Sequence, residues 1–303
     1  MKKNKSEILL RISFLSICLF LFSADLFAGA DRQFNEKVPR RIISLSPSTT
    51  ETLFALGLGE SVVGVTRFCK YPPEARHKNQ VGGYLDPNYE AIAALAPDLV
   101  IILPESESAK NYLTTLDIKY LVVNNKTIAD ILATIETIGQ VCGVPERARE
   151  LRNSLQSRIQ AIKAQTAKRP RPSVMISIGR FVGSGSLQEV YIAGKNTYYD
   201  EMITTAGGRN VYAANQIAYP MLSAEGVLHL NPDIIIDLIP DFAEKKIDIN
   251  TVKQDWASVN QVKALKNDDL FILTQDYTTI PGPRFILFLE DLAKIIHPRL
   301  PEE

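Results

Sequence analysis

The chain has 303 residues, and its 34 Lys and Arg are matched by 34 Asp and Glu for a formal net charge of +0. That balance leaves no basic footprint of the kind a nucleic-acid partner requires. Three histidines, at positions 77, 229 and 297, follow no metal-ligand spacing, so a zinc or manganese site is not expected.

Residues 1–30 read as a secretory signal. Lys2, Lys3, Lys5 and Arg11 make a basic start, residues 12–22 an apolar run, and Ala28-Gly29-Ala30 a small-x-small cleavage site. The run is too short for a comfortable membrane span. Cys18 is a poor lipid-attachment site, because Ile17 before it is bulky and the apolar run continues past it. The remaining 273 residues (303 − 30) suffice for two lobes with proper cores. No other stretch could span a bilayer, so a soluble, exported chain is expected.

Residues 41–46 read as a first strand, ended by Pro47. Ser48-Thr49-Thr50-Glu51 has the form of a capping box, opening a helix that Gly57 stops. Residues 62–65 form a second strand, followed by a polar, aromatic loop through Arg67, Phe68, Cys69 and Tyr71. A second loop, through Tyr84, leads to a unit that occurs twice. Its first copy runs from Glu90 through Leu95 and Pro97-Asp98 to Ile102, and its second from Glu225 through Leu230 and Pro232-Asp233 to Ile236. Each reads as a short capped helix, a Pro-terminated turn and a buried parallel strand. Asn88 and Ser223 are the caps, which puts Glu90 and Glu225 in first helical turns. Between the copies lie a strand at 119–123, an amphipathic helix at 128–141 and a long surface helix at 145–168. That helix carries Ala148, Leu151, Leu155, Ile159 and Ile162 on one stripe. A strand at 173–178, a Gly/Ser-rich loop at 180–188, a helix at 197–206, a last strand at 271–274 and a last helix at 284–296 complete the chain.

Strands alternating with helices through short loops imply an α/β fold, with mainly parallel sheets in two lobes. The long helix joins them. The expected divisions are a signal at 1–30, a first lobe at 31–144, the connecting helix at 145–170 and a second lobe at 171–303. Cys69 and Cys142 both fall in the first lobe, where an exported protein could pair them or bury them as small apolar groups. No nucleophile elbow, phosphate loop or dinucleotide fingerprint is present, so no catalytic residue is assigned. Phe68, Tyr71, Tyr84, Tyr191, Tyr219 and Tyr277 fall in loops at strand ends, where ligands of parallel sheets sit. Two lobes presenting such aromatics would form a cleft for a large, flat, partly apolar ligand.

From Arg41 to about His297 the chain resembles the periplasmic binding proteins of cobalamin and ferric-siderophore importers. The resemblance rests on Arg41-Ile-Ile-Ser-Leu-Ser-Pro47 with Thr50-Glu51, Val63-Gly64-Val65, Tyr71-Pro72-Pro73-Glu74-Ala75, both Glu…Pro-Asp units and Ala206-Gly207-Gly208-Arg209-Asn210. It implies two lobes bridged by one long rigid helix, limited hinge closure, no catalysis and no resident cofactor. It also implies a monomer in the periplasm that hands a small molecule to ABC permease subunits. In the cobalamin-binding branch aromatics line the cleft, and that role maps to Phe68, Tyr84, Tyr191 and Tyr219, with a ligand-contacting acid at Asp276. Where that branch can carry an Arg shortly after the acid, Ile280 stands here. Permease docking maps to Glu90 and Glu225. The alternative ligands are a ferric siderophore, for which Arg67, Arg180 and Arg284 are the candidate cleft cations, and haem, for which Tyr84 or Tyr191 could ligate the iron.

Overall fold

The computed structural model describes residues 38–214 and 216–298; the signal expected at 1–30 lies outside them. Strands β1 (Ile42–Ser44), β2 (Val62–Val65), β3 (Asn79–Gln80), β4 (Leu99–Ile102) and β5 (Tyr120–Val122) form one sheet in the order β3-β2-β1-β4-β5. Every pairing in it is parallel. The central strands β1 and β4 are buried at every position, which is why their sequences are apolar without alternation. Helices α1 (Pro47–Ala55), α2 (Tyr89–Ala94), α3 (Glu107–Thr115) and α4 (Ile128–Val141) belong to this lobe, and α5 (Pro145–Thr166) leaves it.

In the second lobe β6 (Ser173–Arg180), β7 (Glu189–Ile192), β9 (Met221–Ser223), β10 (Ile234–Leu238) and β11 (Leu270–Leu273) lie in the order β11-β10-β6-β7-β9, with β8 (Arg209–Asn210) beside β6. This sheet is mixed. β6 runs parallel to β10, but β7 is antiparallel to both β6 and β9. Helices α6 (Tyr198–Thr205), α7 (Ala224–Leu230), α8 (Ile249–Ala257), α9 (Lys263–Lys266) and α10 (Phe285–Ile296) complete it.

The 22 residues of α5 span about 33 Å at 1.5 Å per residue. Its stripe of Ala148, Leu155, Ile159 and Ile162 is buried, as the periodicity predicts. These side chains share one apolar core with Ile131 and Ile135 of the first lobe and with Met202, Phe288 and Leu292 of the second. The far face of each sheet has its own smaller core, around Ile43, Val100 and Ile102 in the first lobe and Met175, Ile235 and Trp256 in the second.

The repeated unit does more than its sequence announces. Asn88 and Ser223 cap the helices, accepting from the backbone N–H of Ala91 at 3.0 Å and of Gly226 at 3.3 Å. Each helix then ends in a left-handed residue before its Pro, Ala96 at φ 42° and Asn231 at φ 45°. The Asp that follows turns back onto the central strand of its own lobe. The Asp98 carboxylate accepts from the backbone N–H of Arg40 and Arg41, both at 2.9 Å, and Asp233 accepts from Ser173 N–H at 2.8 Å and Ser173 Oγ at 2.6 Å.

One expected cap is corrected. Helix α1 begins at Pro47, and its N-cap is Ser46, whose Oγ accepts from Thr49 N–H at 3.3 Å. Pro is well tolerated at that first position because no intrahelical N–H is lost there. The Ser48–Glu51 capping box does not form, and Glu51 is spent elsewhere. A reciprocal box does occur at Thr127 and Asp130, opening α4. Cys69 and Cys142 are both free and buried, and burial pushes the Cys142 thiol up to about 12.

Hydrogen bonds from Ser173, aided by Lys263, hold the Asp233 carboxyl below the usual Asp range. A depressed folded pKa means that this contribution to stability is present above the unfolded value and is lost as pH falls through the folded one. Asp233→Asn should therefore lower the midpoint of urea unfolding near neutral pH, and its difference from wild type should shrink at pH 3.

Candidate ligand site between the lobes

A cavity of about 460 Å³ opens between the lobes, within the range of roughly 300–1,000 Å³ usual for small-molecule sites. The first lobe contributes Leu103, Pro104 and Glu105, immediately after β4, and Asn124, Asn125 and Lys126, immediately after β5. These are carboxyl ends of parallel strands, where ligands of such sheets bind. The second lobe contributes Thr197, Tyr198 and Tyr199 at the head of α6, Ala218 and Tyr219 before β9, and Thr279 and Pro281.

The charges at this cavity are engaged within the chain. Lys126 pairs with Glu105 at 2.8 Å, and its hydrogen bond holds the Glu105 carboxyl below the usual range. Tyr84 Oη donates to Glu105 at 3.4 Å; burial, reinforced by the Glu105 charge, pushes the Tyr84 phenol up. Beside the cavity the lobes are joined by an ion pair. Arg284 Nε donates to Glu51 at 3.0 Å and Arg284 Nη1 to Asp276 at 2.8 Å, while the Tyr71 ring lies 3.7 Å from the guanidinium carbon. The Glu51 side chain is 2% exposed and that of Arg284 13%. Burial pushes the Glu51 carboxyl up, with Arg284 pulling the other way. A Cβ at Gly282 would sit 3.2 Å from both Glu51 Oε2 and Ser48 Cα, so this close approach of the lobes favours glycine. Two further contacts cross between the lobes: the Lys70–Glu244 ion pair and the Ile128 N–H donating to Glu201 at 2.8 Å.

Of the residues expected at a site, Tyr219 lines the cavity directly. Tyr84 adjoins it through Glu105, and Asp276 does not line it but pairs with Arg284. Phe68 is 48% exposed and lies under the Arg67 guanidinium at 4.9 Å. Tyr191, also exposed, lines a separate depression of about 440 Å³ with Phe181, Gln188 and Glu189. Glu90 and Glu225 are exposed in the first turns of α2 and α7. The three candidate cleft arginines are all committed. Arg67 pairs with Asp86 at 2.8 Å and Arg284 with Glu51 and Asp276. Arg180 is not a cleft residue: its side chain is 2% exposed, held by Asp237 at 2.9 Å and Asp255 at 2.7 Å. Sequence reasoning passed over Asn125, Lys126, Glu105 and Tyr198. Their positions just after strands β4 and β5 and behind the Thr197 cap were the available signal.

From residue 42 to residue 277 the sequence matches the family described as periplasmic binding protein. The chain belongs to that family. Among its relatives, an uncharacterized ABC transporter substrate-binding lipoprotein of Bacillus subtilis, YvrC, is 33% identical over 273 residues, covering 87% of this chain and 82% of that one. The vitamin B12-binding protein of Salmonella typhimurium is 31% identical over 258 residues, covering 84% and 90%. The apo structure of the periplasmic heme-binding protein RhuT from Roseiflexus sp. superposes with a TM-score of 0.71 at 26% identity, covering 86% and 98%. The periplasmic binding protein described here shares its fold with the RhuT structure. No helix among the described residues is long and apolar enough to cross a membrane.

Arg284→Met would leave Glu51 buried without its counter-charge, at a cost of about 3–5 kcal/mol. Urea unfolding at pH 7 should show that loss, with Glu51→Gln in the same background recovering most of it. With its counter-charge gone, Glu51 takes up a proton more readily in the folded state, so the single variant's deficit should narrow as pH falls toward 5.

Proposed function

We propose that this chain binds cobalamin or a related corrinoid between its lobes and delivers it to the permease of an ABC importer. The observation that carries this reading is that the cations of the cleft are already committed within the chain. Among the described residues the one cation that lines the cavity, Lys126, is paired with Glu105, and Arg284 beside the cavity with Glu51 and Asp276. Ferric siderophores are usually anionic and haem carries two carboxylates; either would call for an uncommitted Lys or Arg. Cobalamin bears neutral carboxamides around its ring, and its one phosphodiester charge is balanced by the cobalt centre, so it makes a weaker demand. The vitamin B12-binding relatives, alike over most of both chains, support the same ligand.

On this reading Phe68, Tyr84, Tyr191 and Tyr219 supply the apolar walls that close on the ring, and Asp276 a polar contact. Residues 31–144 and 171–303 act as the two jaws, and 145–170 as the strut between them. The chain is exported by its signal, works in the periplasm as a soluble monomer without lipid, and catalyses nothing. Glu90 and Glu225 dock the loaded protein by meeting arginines of the permease; paired rim charges of this kind set orientation and encounter rate more than affinity.

Calorimetric titration with cyanocobalamin, haemin and a ferric hydroxamate should give heat with the first alone. Heat with haemin and none with cyanocobalamin would reverse the ligand assignment. Glu90→Ala/Glu225→Ala should keep the affinity of wild type and lose uptake in cells that depend on this protein; undiminished uptake would refute the docking role.

A further inference from the structure

We propose that Gly179 leaves room for the ligand: the bare floor it makes on the second lobe seats the aromatic base that a cobalamin carries on its side arm. This deepens the reading given above and rests on it. Glycine inside a strand weakens the strand, and it commonly marks a bulge or the close approach of another group. The chain itself does not call for glycine at 179. Its φ lies outside the positive range that glycine alone adopts freely. The register of β6 against β7 does shift between Ser177 and Gly179, but a bulge demands glycine only where the backbone is left-handed. Nor is the position crowded. Gly64 of β2 could not take a Cβ without meeting Leu95 at 2.9 Å, whereas a Cβ at Gly179 would have no atom of the described residues within 4 Å beyond its chain neighbours.

The open space over Gly179 has a definite character. Gly179 pairs with Tyr191 of β7, and Tyr191 with Met221 of β9, so the three positions share one face of the sheet. Tyr191 and Met221 are each 48% exposed there, while Val190 and Ile192 on the other face are buried. Phe181, 73% exposed, follows the end of β6 and lines the depression of about 440 Å³ together with Gly179 and Tyr191. Large apolar side chains left in water around one hollow mark a contact surface. The polar groups there do not invite an anion. The Arg180 guanidinium is held by Asp237 and Asp255, and Glu189 adds an exposed carboxylate. The group that fits is flat, aromatic and uncharged. The β7–β9 pairing continues toward the cavity between the lobes, with Ile192 N–H donating to the Pro220 carbonyl at 3.0 Å and Gly194 N–H to that of Ala218 at 2.8 Å. Tyr219, which lines the cavity, thus follows Met221 by two residues, about 7 Å at the usual rise of a strand. A ligand in the cavity is within an arm's reach of the hollow. Cobalamin has one aromatic group, the benzimidazole base at the end of its nucleotide arm, whereas its ring presents methyl groups and carboxamides. The wall that Tyr191 offers the ring runs on to Gly179, where the base lies.

Gly179→Val tests this, because its effects on the free protein and on binding carry opposite signs. A β-branched side chain suits a strand and here meets open space, so the melting temperature of the free protein should stay the same or rise. The same side chain fills the hollow, so the affinity for cyanocobalamin, measured by calorimetry, should fall at least about tenfold. Cobinamide, which keeps the corrin ring and lacks the nucleotide arm, should bind wild type more weakly than cyanocobalamin does, and Gly179→Val should leave its affinity unchanged. Phe181→Ser, at a side chain already in solvent, should keep the melting temperature and narrow the gap between the two ligands in the same way. A lower melting temperature for Gly179→Val would make the glycine structural and overturn the proposal. Equal affinities of wild type for the two ligands, an equal loss for both in Gly179→Val, or an undiminished gap in Phe181→Ser would each overturn it too. Absence of cyanocobalamin binding by wild type would remove the corrinoid reading and this inference together; binding by wild type with no selective loss in Gly179→Val removes this inference alone.

Discussion

The buried stripe of α5 is the constraint on which the rest depends. Ala148, Leu155, Ile159 and Ile162 do not cap one lobe or the other; they belong to a core that continues through both. Opening the lobes widely would expose part of that core, at roughly 25 cal/mol for each Å² of apolar surface returned to water. A wide opening is therefore costly, and the contacts that cross between the lobes rest on this core. Glu51 and Arg284 can pair, and Gly282 can lie against Ser48, only because the connector holds the walls at that spacing.

That spacing shapes the electrostatics of the cleft. A buried ion pair adds little net stability, because desolvating two charges offsets most of their attraction. Glu51 with Arg284, and Glu105 with Lys126, are better understood as fixing the character of the space between the lobes. Each cation is met by carboxylates of the chain in advance, so the wall holds hydrogen-bonding groups and aromatic surface and no uncommitted cation among the described residues. The same device stands deeper in the second lobe. There Arg180 is clamped by Asp237 and Asp255, and Asp255 also accepts from the backbone N–H of Gly183 and Gly185 at 2.8 Å, fixing the Gly-rich loop.

Much of the fold was legible because its signals are local. The α5 stripe, the Asn88 and Ser223 caps and the apolar runs of β4 and β10 each depend on residues a few positions apart. The misread residues depend on partners far along the chain. Glu51 stands three residues after a Ser, which is the signature of a capping box, but its partner Arg284 lies 233 positions away. Arg180 follows a strand and looks like a cleft cation until Asp237 and Asp255, 57 and 75 positions on, close around it. The aromatics drew attention at the strand ends and the small polar residues there did not. Asn125 carries no sequence signal that separates it from an ordinary loop asparagine; only the packed structure places it at the cavity. The antiparallel β7 and β9 escaped notice because they are short and because neither forms a pattern without the other.

The departure of β7 from the parallel scheme has a geometric consequence. The lobes share one unit: the same capped helix, the same left-handed stop, the same Asp folded back on the central strand. Their inner walls differ, since Ala218 and Tyr219 arrive on the return toward β9. The two walls are therefore unlike surfaces, and a single strand that reverses direction makes them so.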